Sequence, residues 1–213
     1  MKSKKDVKEI IRILKETYPE AECSLDFSNP FQMAVAVLLS AQCTDARVNI
    51  VTKELFKAGP TAEKMNKLTV EEIEKYIASC GLYKTKAKNI KGLAEMVMNT
   101  YNGEIPDTME ELVKLPGIGR KSANVIMLEA FHNPQGVAID THAKRICNRI
   151  GISKEESPEK IEQDLLKKID KDEYFDANHL CVWHGRYTCK ARRPECERCT
   201  ITKYCNYFKI KNI

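Results

Sequence analysis

Three groups of residues in this 213-residue chain could do chemistry. The first is Leu115-Pro116-Gly117-Ile118-Gly119-Arg120-Lys121, followed by Ser122 to Leu128. Pro116 and the two glycines force a tight turn. Ala123, Val125, Ile126 and Leu128 then read as a helix with one buried side. Gly119 leaves the backbone bare at the start of that helix, where amide N–H groups and the positive end of the helix dipole suit a phosphate oxygen. Arg120 adds charge. Such contacts position a nucleic acid without reading its sequence. Lys121 falls in the same first turn. A helix start and the adjacent Arg120 disfavour a second positive charge, and partial burial would act the same way. All three favour the neutral amine that attacks a sugar carbon as a Schiff-base nucleophile, whereas a nearby carboxylate would favour the charged form, and the sequence leaves the balance open. The same lysine could instead simply hold a phosphate.

The second group is Val137-Ala138-Ile139-Asp140-Thr141-His142. An apolar approach ending in Asp-Thr before a helix makes Asp140 a good N-cap. A carboxylate held by helix-start amides can also stabilise a developing oxocarbenium-like sugar cation or assist the nucleophile, and the two roles are compatible. The third group is Cys189, Cys196, Cys199 and Cys205, spaced C-x6-C-x2-C-x5-C in a loop-rich tail. Four thiolates there can fold around one metal centre. Tetrahedral zinc usually shows two short pairs, whereas only one is present, so both zinc and a cubane iron–sulfur cluster fit the spacing. Lys190, Arg192 and Arg193 lie between these cysteines and could reach a phosphate backbone. Cys23, Cys43, Cys80, Cys147 and Cys181 are expected to be small buried hydrophobes.

These groups need helices to carry them. Val7, Ile10, Ile11 and Leu14 recur at helical spacing, closing near Pro19. Asn29-Pro30 starts a helix that is apolar nearly all round from Phe31 to Ala41, as a central buried helix requires. Thr44 or Asp45 caps the next, which Gly59-Pro60 stops. Thr69 with Glu72, and Thr108 with Glu111, read as capping boxes. Cys80-Gly81 suggests a glycine C-cap, and another helix runs from Lys84 to Tyr101. Three more segments follow, at about 141–150, 158–168 and 174–187. No alternating strand pattern of useful length occurs, so the chain reads as all-α with short loops.

Composition excludes other classes. The net charge of +5, with a pI near 8.6, is a mild basic bias compatible with nucleic acid. The longest apolar run, Met33 to Leu39, is too short to span a bilayer. The first residues lead directly into an amphipathic helix rather than a signal-peptide core, which places the chain in the cytoplasm. An odd count of nine cysteines argues against a pure disulfide framework.

Taken together, these blocks resemble the endonuclease III family of helix-hairpin-helix DNA glycosylases. The resemblance runs over nearly the whole chain. It is carried by Leu115 to Lys121, by Val137 to His142, and by His184-Gly185-Arg186-Tyr187-Thr188-Cys189 with the cysteine spacing. Leu38-Leu39-Ser40-Ala41-Gln42-Cys43-Thr44-Asp45 and Gly81-Leu82-Tyr83 add two further blocks. The one departure is Cys43, where alanine is common in the family.

The resemblance implies a two-lobed fold with a cleft between the lobes. A six-helix barrel domain would span 23–133, with the helix-hairpin-helix at about 108–130. A discontinuous cluster domain would combine 1–22 with 134–213, its iron–sulfur loop at 189–205. It implies a bifunctional DNA N-glycosylase and AP lyase of base excision repair, removing oxidised or ring-saturated pyrimidines from duplex DNA. Lys121 would be the nucleophile, Asp140 its assistant, and the four cysteines the ligands of a [4Fe-4S] cluster. The damaged nucleotide must leave the stack, and Gln42 and Leu82 would fill the gap. Gly117, Gly119 and Arg120 would hold the phosphates. The partner is duplex DNA carrying a damaged pyrimidine or an abasic site, met by a monomer near the nucleoid of a prokaryotic cell, with no membrane involved. Two alternatives stand beside this. A monofunctional mismatch glycosylase of the same superfamily activates a water and lacks the lysine. A non-enzymatic helix-hairpin-helix module with structural zinc leaves Lys121 and Asp140 without a task.

Overall fold

The computed structural model describes residues 1–211, and among these no strand occurs. The helices are α1 (Lys4–Thr17), α2 (Pro30–Ser40), α3 (Asp45–Ala58), α4 (Ala62–Asn66), α5 (Val70–Ile77), α6 (Tyr83–Thr100), α7 (Met109–Leu112), α8 (Arg120–Glu129), α9 (Thr141–Ile150), α10 (Pro158–Leu166), α11 (Tyr174–Tyr187) and α12 (Asn206–Lys211). The chain divides into two compact units: Ser24–Asn133, and Met1–Cys23 together with Pro134 onward.

In the first unit α2 is the central helix. Every residue from Phe31 to Leu39 is buried, and α3, α6 and α8 pack around it. A helix apolar on all sides stays in place only when neighbours cover each face. Asn29 caps its start by accepting from the Gln32 amide, with Pro30 in the first turn. α7 and α8 form the two arms of the hairpin. Leu112, Leu115 and Ile118 are fully or nearly fully buried, so the turn is anchored from beneath while its glycines stay exposed.

In the second unit one core joins α1, α9, α10 and α11. Val7, Ile10, Ile11 and Leu14 of α1 pack with Ile146, Ile150, Ile161, Leu165, Ala177 and Leu180. That packing explains how the first 23 residues join a unit formed mainly from the last 80 or so. The tail after α11 has short 3₁₀ turns at Cys196–Arg198 and Thr202–Tyr204 and contributes mainly Ile201 to the core.

Local expectations differ from the structure at five points. The box at Thr69 and Glu72 closes reciprocally, but Thr108 caps only the Glu111 amide. The Glu111 carboxylate instead accepts from Tyr101 and Lys114. Ser3 and Asp6 form a box that the sequence reading missed. α5 ends without a glycine cap, and the left-handed residue beyond it is Leu82, not Gly81. On α8, Asn124 is buried and Val125 is only half-buried. Cys80, Cys147 and Cys181 are buried as expected, whereas Cys23 and Cys43 are half-buried. None of the nine cysteines forms a disulfide.

Candidate active site and cysteine centre

The hairpin places its two glycines in different situations. Gly117 has φ +78°, a region closed to most side chains, and a Cβ there would lie 2.9 Å from both Asn89 Nδ2 and Leu38 Cδ1. The turn therefore requires glycine for its own folding. Gly119 has φ −95° and ψ 178°, ordinary extended backbone, and a Cβ there would meet nothing within 4 Å. It is the N-cap of α8, and no side chain caps that first turn. Fold geometry gives no reason for glycine at 119; a bare surface for an incoming anion does.

Arg120 and Lys121 are the first two residues of α8, and both are exposed. The partial burial expected of Lys121 is absent. Its exposure leaves the amine open to a macromolecular substrate.

Asp140 is the N-cap of α9, with its Oδ1 accepting from the Ala143 amide at 2.7 Å. The apolar approach is irregular backbone rather than strand. The Val137 amide donates to Glu162 Oε1 and the Ala138 amide to Asn178 Oδ1, so side chains satisfy what a neighbouring strand would have taken. Val137 and Ile139 are buried and fix the segment on both sides of Ala138. Asp140 belongs to the unit containing the cysteine tail, Lys121 to the other.

Gln42 and Leu82 are both exposed, Leu82 to 61%. Both also have left-handed backbone, φ 53° and 58°. That conformation costs an L-residue without β-branching about 1–2 kcal/mol. Only five non-glycine residues among those described adopt positive φ: Gln42, Leu82, Asn102, His132 and Arg193. Three of the five are residues the sequence marked for DNA contact. Strained backbone that is maintained at exposed side chains points to use rather than packing.

The four tail cysteines line one small apolar cavity with Ile150, His184 and Phe208. Among the described residues no three His, Cys, Asp or Glu side chains are grouped as ligands of a single ion. The four sulfurs share one apolar cavity, the donor set from which a metal centre could be built. Burial pushes the Cys199 thiol up to about 11 and the Cys205 thiol above its ordinary value, with the neighbouring sulfurs adding to both. At these two positions the thiolate form would gain from a cationic centre.

The supports of this centre were not singled out in the sequence. Arg149 on α9 donates to Cys189 Sγ (3.4 Å), Lys190 O (2.7 Å) and Ala191 O (2.9 Å). One turn earlier, Arg145 donates to Cys189 O (2.9 Å) and Gly185 O (2.8 Å). His184 is buried, with Nδ1 against the Tyr18 hydroxyl and Nε2 3.8 Å from Cys199 Sγ. Burial, with Arg145 nearby, holds its imidazole down at about 4. In sequence Arg145 and Arg149 stand 40 or more positions from Cys189, so no local spacing marked them. In the same loop Lys190 is ion-paired with Glu195, which also takes Arg198. Arg192 and Arg193 are exposed.

Comparison with known proteins agrees with this geometry. Residues 35–171 match the HhH-GPD superfamily of base excision DNA repair proteins. Endonuclease III of Synechocystis sp. is 45% identical over 206 residues, covering 96% of this chain and 94% of the relative. Endonuclease III of Bacillus subtilis is 45% identical over 191 residues, covering 89% and 87%. The solved structure of a trapped endonuclease III–DNA covalent intermediate, an estranged-adenine complex, superposes with a TM-score of 0.94 at 41% identity, covering all of both chains. No helix among the described residues is long and apolar enough to cross a membrane. The chain belongs to the HhH-GPD superfamily and, within it, to the endonuclease III family.

Proposed function

We propose that Lys121 is the nucleophile and Asp140 the assisting carboxylate of a bifunctional enzyme that removes oxidised or ring-saturated pyrimidines from duplex DNA. As a member of the endonuclease III family the chain is a DNA glycosylase and AP lyase of base excision repair. The observation that carries the residue assignment is the exposed Lys121 amine in the uncapped first turn of α8, directly beyond Gly119. A monofunctional glycosylase has no use for that lysine.

Exposed Gly117 and Gly119 with Arg120 hold the phosphates of a duplex, and Lys190, Arg192 and Arg193 extend the charged contact. The damaged nucleotide leaves the stack, and Gln42 and Leu82 enter the gap from the minor groove. The Lys121 amine attacks C1′. The N–C1′ bond forms as the glycosidic bond breaks, and the base leaves with the electron pair. Asp140 stabilises positive charge as it develops on the sugar. Ring opening gives an imine, loss of a C2′ proton expels the 3′ phosphate, and water then releases the lysine.

Cys189, Cys196, Cys199 and Cys205 hold a [4Fe-4S] cluster, as their shared apolar cavity supports. When bound, that group would supply a cationic core around which the tail folds. A single chain performs the reaction, on chromosomal DNA in the nucleoid of a prokaryotic cell.

The test is a duplex with one thymine glycol, incubated with the purified chain and resolved on a denaturing gel. A strand cut 3′ to the lesion with a β-elimination end is expected. An intact strand holding an abasic site would make the enzyme monofunctional.

A further inference from the structure

The loops that carry Gln42 and Leu82 are separated by 40 positions in sequence, yet one buried residue is bonded to both, through its side chain to one and its backbone amide to the other. Lys86, on the first turn of α6, is only 4% exposed. Its Nζ donates to Leu39 O at 2.9 Å and to Ala41 O at 2.7 Å, at the C-terminal end of α2 and the residue just before Gln42. Its own amide donates to Leu82 O at 3.0 Å. The same residue is thus bonded to both loops.

Neither loop has a conventional terminus to hold it. α2 ends at Ala41 with no glycine cap, so carbonyls at its end need a donor from elsewhere. Lys86 supplies it, and a lysine suits the negative end of a helix. α6 begins at Leu82 with no side-chain cap. One further close approach crosses between the loops. A Cβ on Gly81 would lie 3.4 Å from Gln42 O. Gln42 and Leu82 keep left-handed backbone on either side of this junction. Strained backbone persists only where its surroundings over-determine it, and Lys86 is bonded to both strained segments.

We propose that Lys86 is a positioning residue that holds the two loops in one arrangement, so that Gln42 and Leu82 enter the gap of a flipped nucleotide as a unit. The inference rests on the reading that these side chains fill that gap. Lys86 does not touch the DNA; it acts through the backbone of its two partners.

The experiment measures single-turnover excision of thymine glycol from a duplex at saturating enzyme, together with affinity for undamaged duplex. Lys86→Met keeps the stem and removes the donors. Excision should fall on the order of tenfold, the effect of losing one or two buried hydrogen bonds. Affinity for undamaged duplex, set by the hairpin's phosphate contacts, should stay within about twofold. A 2-aminopurine base beside the lesion should show a smaller fluorescence rise on binding. In a Gln42→Ala, Leu82→Ala background, Lys86→Met should add little, because residues acting as a unit are not additive. Lys86→Arg, which keeps donors, should recover most of the rate. If Lys86→Met does not fold, Lys86→Gln reads the same ratio of excision to binding. An unchanged ratio, or full additivity with Gln42→Ala, Leu82→Ala, would overturn the proposal. A wild-type chain that leaves thymine glycol untouched would instead overturn the function on which it rests.

Discussion

Gly117 and Gly119 stand two residues apart in one turn and do different things. Gly117 is glycine because φ +78° and the approach of Asn89 and Leu38 leave no room for a Cβ. Gly117→Ala should cost about 1–3 kcal/mol and lower the thermal midpoint by several degrees. Gly119→Ala meets open space at ordinary dihedrals, so stability should change by less than about 1 kcal/mol. Its effect should fall on DNA affinity, equally for damaged and undamaged duplex, and it should reduce the salt dependence little, since an amide contact carries no full charge. Calorimetry and a salt-titrated binding assay on the two variants check both. If Gly119→Ala unfolds the chain and leaves binding intact, the bare cap is structural. The sequence marked both glycines as a turn and singled out Gly119 for its bare helix start, but gave no sign that Gly117 is required by its own dihedrals and neighbours, because that depends on what packs behind it. It likewise placed Gln42 and Leu82 at helix ends but gave no sign of their left-handed backbone. Glycine at 81 drew attention to the wrong residue.

At the scale of elements, α9 links the two chemistries of its unit. Its N-cap is Asp140, and its half-buried Arg145 and Arg149 reach the backbone around Cys189. Arg149→Leu removes three hydrogen bonds to the cysteine loop and a cation–π contact with Tyr207 at 4.7 Å. It should leave α9 folded while iron per chain falls, or is lost faster in air, as read by metal analysis and the visible spectrum. A variant that keeps its full iron through prolonged exposure to air would show that the loop holds itself. A second element contact fastens α1: Asp170 bridges Lys4 and Lys8, and these partners hold its carboxyl down at about 2. A depressed carboxylate stabilises above its unfolded value and loses that contribution as pH falls through about 2. Asp170→Asn should therefore narrow the gap to wild type as pH falls from 4 towards 2, in thermal midpoints across that range. The bridge is solvent-exposed, so the effect should be small. An unchanging gap would assign the loss to packing instead.

At the scale of the molecule, most of the helical order was legible. α9 and α11 begin and end where the sequence placed them, because Asp140, Gly151 and the apolar spacing act locally. The assignment of α1 to the C-terminal unit was not readable from local pattern, since it depends on which core the stripe Val7, Ile10, Ile11 and Leu14 covers. Resemblance to a family supplied it. The same holds for the site. Cysteine spacing named the candidate ligands, but their common cavity and the arginines beside it exist only in three dimensions. Lys121 and Asp140 were visible as a lysine and an aspartate at two helix starts, and they belong to different units. The most direct measurement is a borohydride trap. The chain is incubated with a duplex carrying one abasic site, borohydride reduces any imine to a stable amine, and a gel resolves protein bound covalently to DNA. We predict an adduct with the wild-type chain and none with Lys121→Gln, while that variant still binds the duplex. An adduct that survives Lys121→Gln, or its absence from wild-type chain that binds the DNA, would contradict the assignment of Lys121 as nucleophile.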